Sequence, residues 1–497
     1  MKYIVALDQG TTSSRAVVFD QGGRPVAQHG VEFPQLYPKP GWVEHRPDDI
    51  LESQIAALKG AVEKSGVRAR DIEAVGITNQ RETTLLWERA TLKPLYNAIV
   101  WQCRRTAPLI ERLKRDALGN LVRDRTGLIP DAYFSGTKLQ WLLDTMPDAR
   151  ERARRGELCF GTVDSFLAAR LCTGSPHVTD ATNAARTMLF DIHKRVWDDM
   201  LLRAMDIPEA VLPRVVDTSG LVGMLDKRIL GREIPVAALV GDQQSALFGH
   251  GCFAPGMSKN TYGTGCFLLM NTGAHPVKSV SNLITTIAWQ IDGQPRYALE
   301  GSVFVAGAVV QWLRDEMKLI SSAAESEQIA ASVADNGNVY FVPAFTGLGA
   351  PHWDMYARGT MVGLTRGTTR AHIVRAAMEG IAYQVKDLLD AMELDSGRTL
   401  SVLRVDGGAS VSDFLMQFQA DILRKPIDRP RMVETTAFGA AFLAGLAAGL
   451  WSKVEEIAAL RQSEQVFEPQ MDERAAEKYH GEWLRAVERA KKWETSK

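Results

Sequence analysis

Residues 3–20 read Tyr3-Ile4-Val5-Ala6-Leu7-Asp8-Gln9-Gly10-Thr11-Thr12-Ser13-Ser14-Arg15-Ala16-Val17-Val18-Phe19-Asp20. The run from Tyr3 to Leu7 is short, apolar and partly β-branched, which predicts a buried strand. Ala16 to Asp20 predicts a second strand, and Gln21-Gly22-Gly23 a turn into a third. Between the first two, Gly10 sits among hydroxyl-bearing residues. Such a turn offers close-approaching N–H groups and O–H donors of the kind a polyphosphate takes. Asp8 at the strand end is a carboxylate suited to magnesium, which prefers carboxylate, water and phosphate oxygens. This is not a Walker-type loop: there is no G-x-x-x-x-G-K-[ST], and the turn opens into a strand instead of a helix. Taken alone, the segment is equally a hairpin with polar turn residues.

The rest of the chain extends the same alternation. Ile72 to Thr78 and Val236 to Val240 are strand candidates, Asp49 to Val62 and Gln243 to Phe248 helix candidates, and strands alternating with amphipathic helices predict an α/β fold. Ala254-Pro255-Gly256 breaks the chain, so a domain boundary is placed near residue 250. Beyond it, Met257 to Tyr262 and Gly265 to Met270 flank Gly263-Thr264, a strand, Gly/Thr turn and strand that repeats the N-terminal pattern. Two such halves predict a cleft between facing loops. The expected divisions are 1–250, 251–450 and a peripheral helical segment 451–497, with Met471 to Lys497 charged and helical in pattern.

The 497 residues are 45% apolar and 24% charged, ordinary for a soluble globular protein of two or three domains. With 58 basic and 59 acidic residues the formal net charge is −1, which gives no support for a nucleic-acid partner. A core strand begins almost at Met1, leaving no room for a signal peptide. The most apolar stretch, Ala437 to Trp451, is shorter than the ~20 residues of a bilayer span, so no integral membrane segment is expected and a closely packed buried helix is. The five cysteines, Cys103, Cys159, Cys172, Cys252 and Cys266, form no C-x-x-C pair. Reduced cytosolic thiols are the simpler reading than a disulfide framework or a zinc site.

Further sites stand at other strand ends. Asp406-Gly407-Gly408-Ala409-Ser410 follows Leu403-Arg404-Val405, and paired glycines there let a ring or phosphate approach the backbone. Gly241-Asp242-Gln243-Gln244 lies between a strand and a helix, where open α/β sheets bind ligands. Asp242 there is either an acceptor for a hydroxyl proton or a helix N-cap. In Asn79-Gln80-Arg81-Glu82-Thr83-Thr84, adjacent donor and acceptor side chains suit a small polyol, or the segment is a solvated loop. Trp101 and Tyr133 are placed near a small substrate or in the core.

Assembled, these stretches resemble the FGGY carbohydrate kinases, and within them the branch that phosphorylates glycerol. The resemblance runs from about Tyr3 to Trp451. It includes Tyr37-Pro38-Lys39-Pro40-Gly41-Trp42, Trp101-Gln102-Cys103-Arg104-Arg105-Thr106, Tyr133-Phe134-Ser135-Gly136-Thr137-Lys138, Asn260-Thr261-Tyr262-Gly263-Thr264-Gly265, Pro343-Ala344-Phe345-Thr346-Gly347-Leu348-Gly349 and Gly359-Thr360-Met361-Val362-Gly363-Leu364.

The resemblance implies two ribonuclease H-like domains of the actin-like ATPase type around a nucleotide cleft. It implies ATP and magnesium, the metal held by Asp8 through water. Thr11, Thr12, Ser13 and Arg15 would contact the phosphates, with Thr264 facing them. Gly307, Gln311, Gly408 and Ser412 would line the nucleotide site, Ser412 standing where the family often has Asn. Arg81, Glu82, Tyr133, Asp242 and Gln243 would hold glycerol against Trp101 and Phe267, and Asp242 would accept the hydroxyl proton. The product would be sn-glycerol 3-phosphate. A cytoplasmic homo-oligomer, dimer or tetramer, is expected from the family. The loop Asp226 to Glu233 does not cleanly reproduce the fructose 1,6-bisphosphate loop of some bacterial members, nor does Asp472 to Ala475 match their phosphotransferase-protein docking site. The competing readings are an FGGY kinase for xylulose or gluconate, and a non-enzymatic actin-like nucleotide switch.

Overall fold

The structure is a computed structural model and describes every residue except Ala117, Val433 and residues 495–497. Its organising element is a sheet of thirteen strands among the described residues. In chain order these are β1 (Tyr3–Gln9), β2 (Ser13–Asp20), β3 (Pro25–Glu32), β4 (Ile72–Asn79), β5 (Ser219–Leu225), β6 (Ile234–Gly241), β7 (Ser258–Tyr262), β8 (Cys266–Gly273), β9 (Ile284–Ile291), β10 (Gln294–Val303), β11 (Leu403–Asp406), β12 (Ile427–Pro430) and β13 (Ser463–Phe467). Their order across the sheet is β13-β12-β11-β7-β8-β10-β9-β5-β6-β4-β1-β2-β3.

Two halves of like design meet in it. In the first, β1 and β2 are antiparallel, β2 and β3 likewise, and β4 and β6 continue beside β1 in parallel. In the second, β7 pairs antiparallel with β8 and β8 with β10, while β11 and β12 continue beside β7 in parallel. The halves join through β5 and β9 by the pairing of Ser219 with Ile291. The parallel strands are apolar almost without interruption, as strands covered on both faces must be.

The helices that position the site are α1 (Pro47–Ser65), α2 (Ser135–Thr145), α3 (Asp242–Gly249), α4 (Gly307–Asp315), α5 (Arg370–Ser396), α6 (Asp413–Leu423), α7 (Thr435–Ala447) and α8 (Glu473–Ala490). Helix α1 starts with Pro47, carries Asp48 and Asp49 in its first turn and stops at Gly66, whose φ is 66°. Its Ile50, Gln54, Ala57, Leu58 and Ala61 recur at helical spacing and are buried against β2 and β3. Helix α7 is the buried small-residue helix expected from Ala437 onward. It comes from the second half of the chain yet packs on β1, β4 and β6 of the first. The contact is close: a Cβ on Gly76 would lie 2.2 Å from the Ala440 carbonyl oxygen, and one on Gly439 would meet that of Ser245.

One expectation needs correction. The charged segment from Met471, read from its charge as peripheral, carries α8, whose Trp483, Ala486, Val487 and Ala490 are buried. Trp483 stacks on Tyr383 of α5 at 5.1 Å and donates its indole N–H to Asp387 at 2.8 Å. An amphipathic helix dominated by charge in composition still buries one stripe. The tail of that segment, residues 495–497, lies outside the described residues. No described helix is long and apolar enough to cross a membrane, and all five cysteines are buried and unbridged.

Candidate active site

The parallel register sets the first half of the site. Asp8 lies opposite Thr78, and Asn79 opposite both Gln9 and Gly241, so Asp8, the loop Asn79–Thr84 and Asp242 emerge together at the carboxyl ends of β1, β4 and β6. Ligands of open α/β sheets sit at that edge. The loops are laced to one another: Gln80 donates its backbone N–H to Gln9 at 2.7 Å and its side-chain amide to the Gly10 carbonyl at 3.0 Å.

Asp242 is not the cap of α3. Gly241 occupies that position with extended backbone, and Asp242 is the first helical residue. Its carboxylate accepts the Gln243 N–H at 2.7 Å and pairs with the Arg81 guanidinium at 3.2 Å, yet 30% of its side chain stays open to the cleft. Burial pushes its carboxyl above the ordinary range, and the Arg81 charge opposes that rise.

Below it lies a group of charges that the sequence reading did not foresee. Arg81 forms a two-pronged pair with Glu300 of β10, at 2.6 and 2.9 Å. Arg186 donates to Glu82 at 2.5 Å and lies 3.2 Å from Glu300. All four side chains are buried, two cations against two anions. Burial would raise the carboxyl of Glu300, but the Arg186 and Arg81 charges hold it down at about 2. Glu82, with one hydrogen bond and Arg81 3.9 Å away, is instead raised by its burial. Its φ is 61°, a left-handed backbone that costs a β-carbon-bearing residue roughly 1–3 kcal/mol and is typical of functional loops. Hydrogen bonds from Ser135 and Thr84 to its carbonyl hold it there.

Trp101 donates its indole N–H to Thr11 at 3.0 Å and meets Tyr133 edge-on at 5.5 Å. The aromatic wall of the pocket is thus tied to the first Gly/Thr turn. Phe267, half-buried, stands on β8 opposite Thr261, at the exit of the second turn. Gln243, half-buried in the first turn of α3, accepts a hydrogen bond from Lys259 at 2.5 Å. The structure therefore gathers Asp242, Arg81, Glu82, Gln243, Tyr133 and Trp101 around one cleft wall.

The second half supplies the facing turn. Gly263 and Thr264 are exposed, and their carbonyls accept N–H groups from Gly307, Ala306 and Ala308 at 2.8–3.1 Å. A Cβ on Gly307 would lie 2.7 Å from the Gly263 oxygen, so only glycine lets α4 dock on the turn. Gln311, exposed, follows Gly307 by one helical turn. Gly407 has φ 87° and would, with a Cβ, meet the Tyr262 carbonyl at 2.5 Å, which fastens the third glycine turn, with exposed Gly408, to β7. Ser412 spends its hydroxyl capping α6, accepting from Leu415 at 3.3 Å.

In the first turn Gly10 donates to the Ser13 carbonyl at 2.9 Å, with Thr12 exposed and Ser13 half-buried. Arg15, expected to contact phosphate, stands beside this turn and pairs with Asp8 at 3.3 Å and with Glu434, just before α7. The Asp8 carboxyl is raised to about 6 by burial, with Arg15 pulling it down and Glu434 and Asp242 adding to the rise.

Glu300, Arg186 and Lys259 are the buried charges missed from the sequence. The available signal was a lone charge in an apolar run, as in Tyr297-Ala298-Leu299-Glu300, since such groups are almost never buried unless paired.

Known proteins resemble the chain over nearly its whole length. Residues 3–249 match the N-terminal domain of the FGGY family of carbohydrate kinases and residues 258–448 its C-terminal domain. The chain is 58% identical over 492 residues to a glycerol kinase of Caldanaerobacter subterraneus subsp. tengcongensis, covering 99% of each. It is 58% identical over 494 residues to glycerol kinase 2 of Thermotoga maritima, covering 99% of this chain and 100% of that one. The crystal structure of Plasmodium falciparum glycerol kinase with ADP superposes with a TM-score of 0.94 at 37% identity, covering 99% of this chain and 98% of that one.

Proposed function

The chain belongs to the FGGY family of carbohydrate kinases, and from that premise we propose that it phosphorylates glycerol with ATP, yielding sn-glycerol 3-phosphate. The observation that carries the reading is the carboxylate of Asp242, held by Arg81 at 3.2 Å and open to the cleft beside Trp101 and Tyr133. The full-length identity to glycerol kinases supports the same acceptor.

Phosphoryl transfer asks little covalent chemistry of a protein and much positioning. Arg81, Glu82, Tyr133 and Gln243 would hold the glycerol hydroxyls, with Trp101 and Phe267 against its carbon edge. Asp242 would take the proton of the terminal hydroxyl as that oxygen attacks the γ-phosphorus in line. A carboxyl raised by burial is a better proton acceptor near neutrality than an ordinary one. Thr11, Thr12, Ser13 and Thr264 would donate to phosphate oxygens from the two facing turns. Gly307, Gln311, Gly408 and Ser412 would line the nucleoside, Ser412 through its backbone because its hydroxyl caps α6. Arg15 would contact the phosphates beside the first turn while tying Asp8 to Glu434. In this reading residues 1–250 carry the acceptor and 251–450 the nucleotide, and closing one on the other would exclude water. The proposed compartment is the cytoplasm, and the proposed assembly has two or four copies.

Magnesium fits the donor set. No group of three or more His, Cys, Asp or Glu able to hold a metal occurs among the described residues. A single carboxylate, Asp8, beside hydroxyl-rich turns suits an ion ligated mostly by phosphate oxygens and water. Bound there, the ion would neutralise the triphosphate. With the Asp8 carboxyl at about 6, its ionised fraction falls about tenfold from pH 7 to pH 5. The magnesium concentration for half-maximal rate is expected to rise by a similar factor in wild type, and Asp8→Asn is expected to flatten that dependence. A requirement equally steep in both proteins would remove Asp8 from the metal.

The reading as a whole is tested by product identification. Incubation with ATP, magnesium and a panel of glycerol, xylulose and gluconate should release ADP fastest with glycerol and yield glycerol phosphate. Faster turnover of the pentulose or the sugar acid would overturn it.

A further inference from the structure

Lys259 lies on β7, four positions before Gly263 opens the facing Gly/Thr turn, and is fully buried. A buried ammonium is costly unless its protons are taken up. Its Nζ donates to Gln243 at 2.5 Å and to Thr261 at 2.9 Å. Gln243 belongs to the first half and is the residue after Asp242, whereas Thr261 leads into the turn of the second half. One side chain therefore spans the cleft floor. Its charged surroundings are anionic on three sides: Asp406 from β11, Asp242 from α3 and Glu300 from β10, with Arg81 the opposing cation. Asp406 lies 3.1 Å from the ring of His250, the residue that closes α3, and accepts the Thr435 hydroxyl at the start of α7. Burial lowers the lysine to about 8, so it remains charged at neutral pH.

We propose that Lys259 is a positioning residue for phosphoryl transfer: reaching from the nucleotide half, it fixes the first turn of α3 through Gln243 and presents to the Asp242 carboxylate a positive charge additional to that of Arg81. The inference rests on the reading of Asp242 as proton acceptor. The groups that face Asp242 are Arg81 from the loop after β4, Lys259 from β7, Glu300 from β10 and Asp8 from β1. Removing Lys259 leaves Arg81 alone against two carboxylates, Glu300 and Asp8, so the base should hold its proton to higher pH. A structural lysine would weaken the protein without moving that titration.

The test is the pH profile of kcat/KM for glycerol in wild type and in the Lys259→Met, Lys259→Gln and Lys259→Arg variants, with thermal melting alongside. Both neutral variants are expected to lose roughly 10- to 100-fold in kcat. Their acid limb should move up by about one pH unit or more, the effect of one charge several ångströms away at an effective dielectric constant near 20. Lys259→Arg should keep the wild-type limb even where its turnover is lower. An unmoved limb in a folded neutral variant, or a limb displaced in Lys259→Arg, overturns the inference. If neither neutral variant folds, the arginine limb alone decides. All profiles are taken at magnesium saturating at every pH, which removes the Asp8 contribution, and the underlying reading fails separately: its sign would be an acid limb that persists in Asp242→Asn under those conditions, or a wild-type protein without glycerol phosphorylation.

Discussion

Asp242→Asn will bind glycerol nearly as the wild type does and turn it over ~10²–10⁴-fold more slowly, the usual weight of general-base help. The asparagine keeps the size of the side chain and an oxygen to accept the Gln243 N–H, now 2.7 Å from the carboxylate. What it loses is the ability to take a proton and the ion pair with Arg81 at 3.2 Å. Arg81 does not then fall free, because Glu300 still grips it with two hydrogen bonds. The pocket therefore survives and the defect should appear in kcat, not in KM. Steady-state kinetics with a separate glycerol binding measurement check this, and near-normal turnover would sink the assignment.

Glu300→Ala will do the opposite kind of damage, to the fold and to acceptor binding together. It leaves Arg81 and Arg186 with only Glu82 as a buried anion, Asp242 meeting Arg81 from the partly open side. Breaking a buried pair from one side costs about 3–5 kcal/mol, because a charge is stranded away from water. Arg81 also loses the partner that fixes it, and a displacement of about 1 Å can cost roughly 10² in rate. Denaturant melts should show the stability loss, and glycerol KM should rise with kcat falling. Glu300→Gln, which keeps the shape and two polar atoms, should recover part of the binding and little of the stability. The folded carboxyl sits at about 2, below its ordinary 4.5. Its stabilising contribution is therefore complete above pH 4.5 and is lost as pH falls toward 2. The variant should accordingly lie closest to wild type in the most acidic solutions and fall furthest behind above pH 4.5. A stability gap that does not narrow on acidification would show that Glu300 acts by packing.

Legibility in the sequence followed the physics of each feature. Strands such as Tyr3–Leu7 and Val236–Val240 were readable because continuous apolar runs ended by Gly or Asp have few other uses. The two Gly/Thr turns were readable for the same reason, and their family resemblance carried the site residues along. Charged composition misled at the C-terminus, where Trp483 of α8 is buried against Tyr383. Asp242 looked equally like a cap until Gly241 was seen to fill that place. The pairing of Arg15 with Glu434 joins residues 419 positions apart, and no local pattern encodes that.

From its sequence alone the protein is an α/β chain of two like halves, each with a Gly/Thr turn between strands. Local periodicity, turn chemistry and motif spacing are short-range properties and survive in one dimension. Only the tertiary structure decided which charges neutralise which. Arg81 belongs to Glu300, Arg186 to Glu82, and Lys259 to Gln243 and Thr261. A buried ion is stable only beside its partner, and these partners come from strands whose proximity is set by sheet order. The sheet brings Lys259 to the residue that follows Asp242, and with it a charge that the chain order keeps 17 positions away.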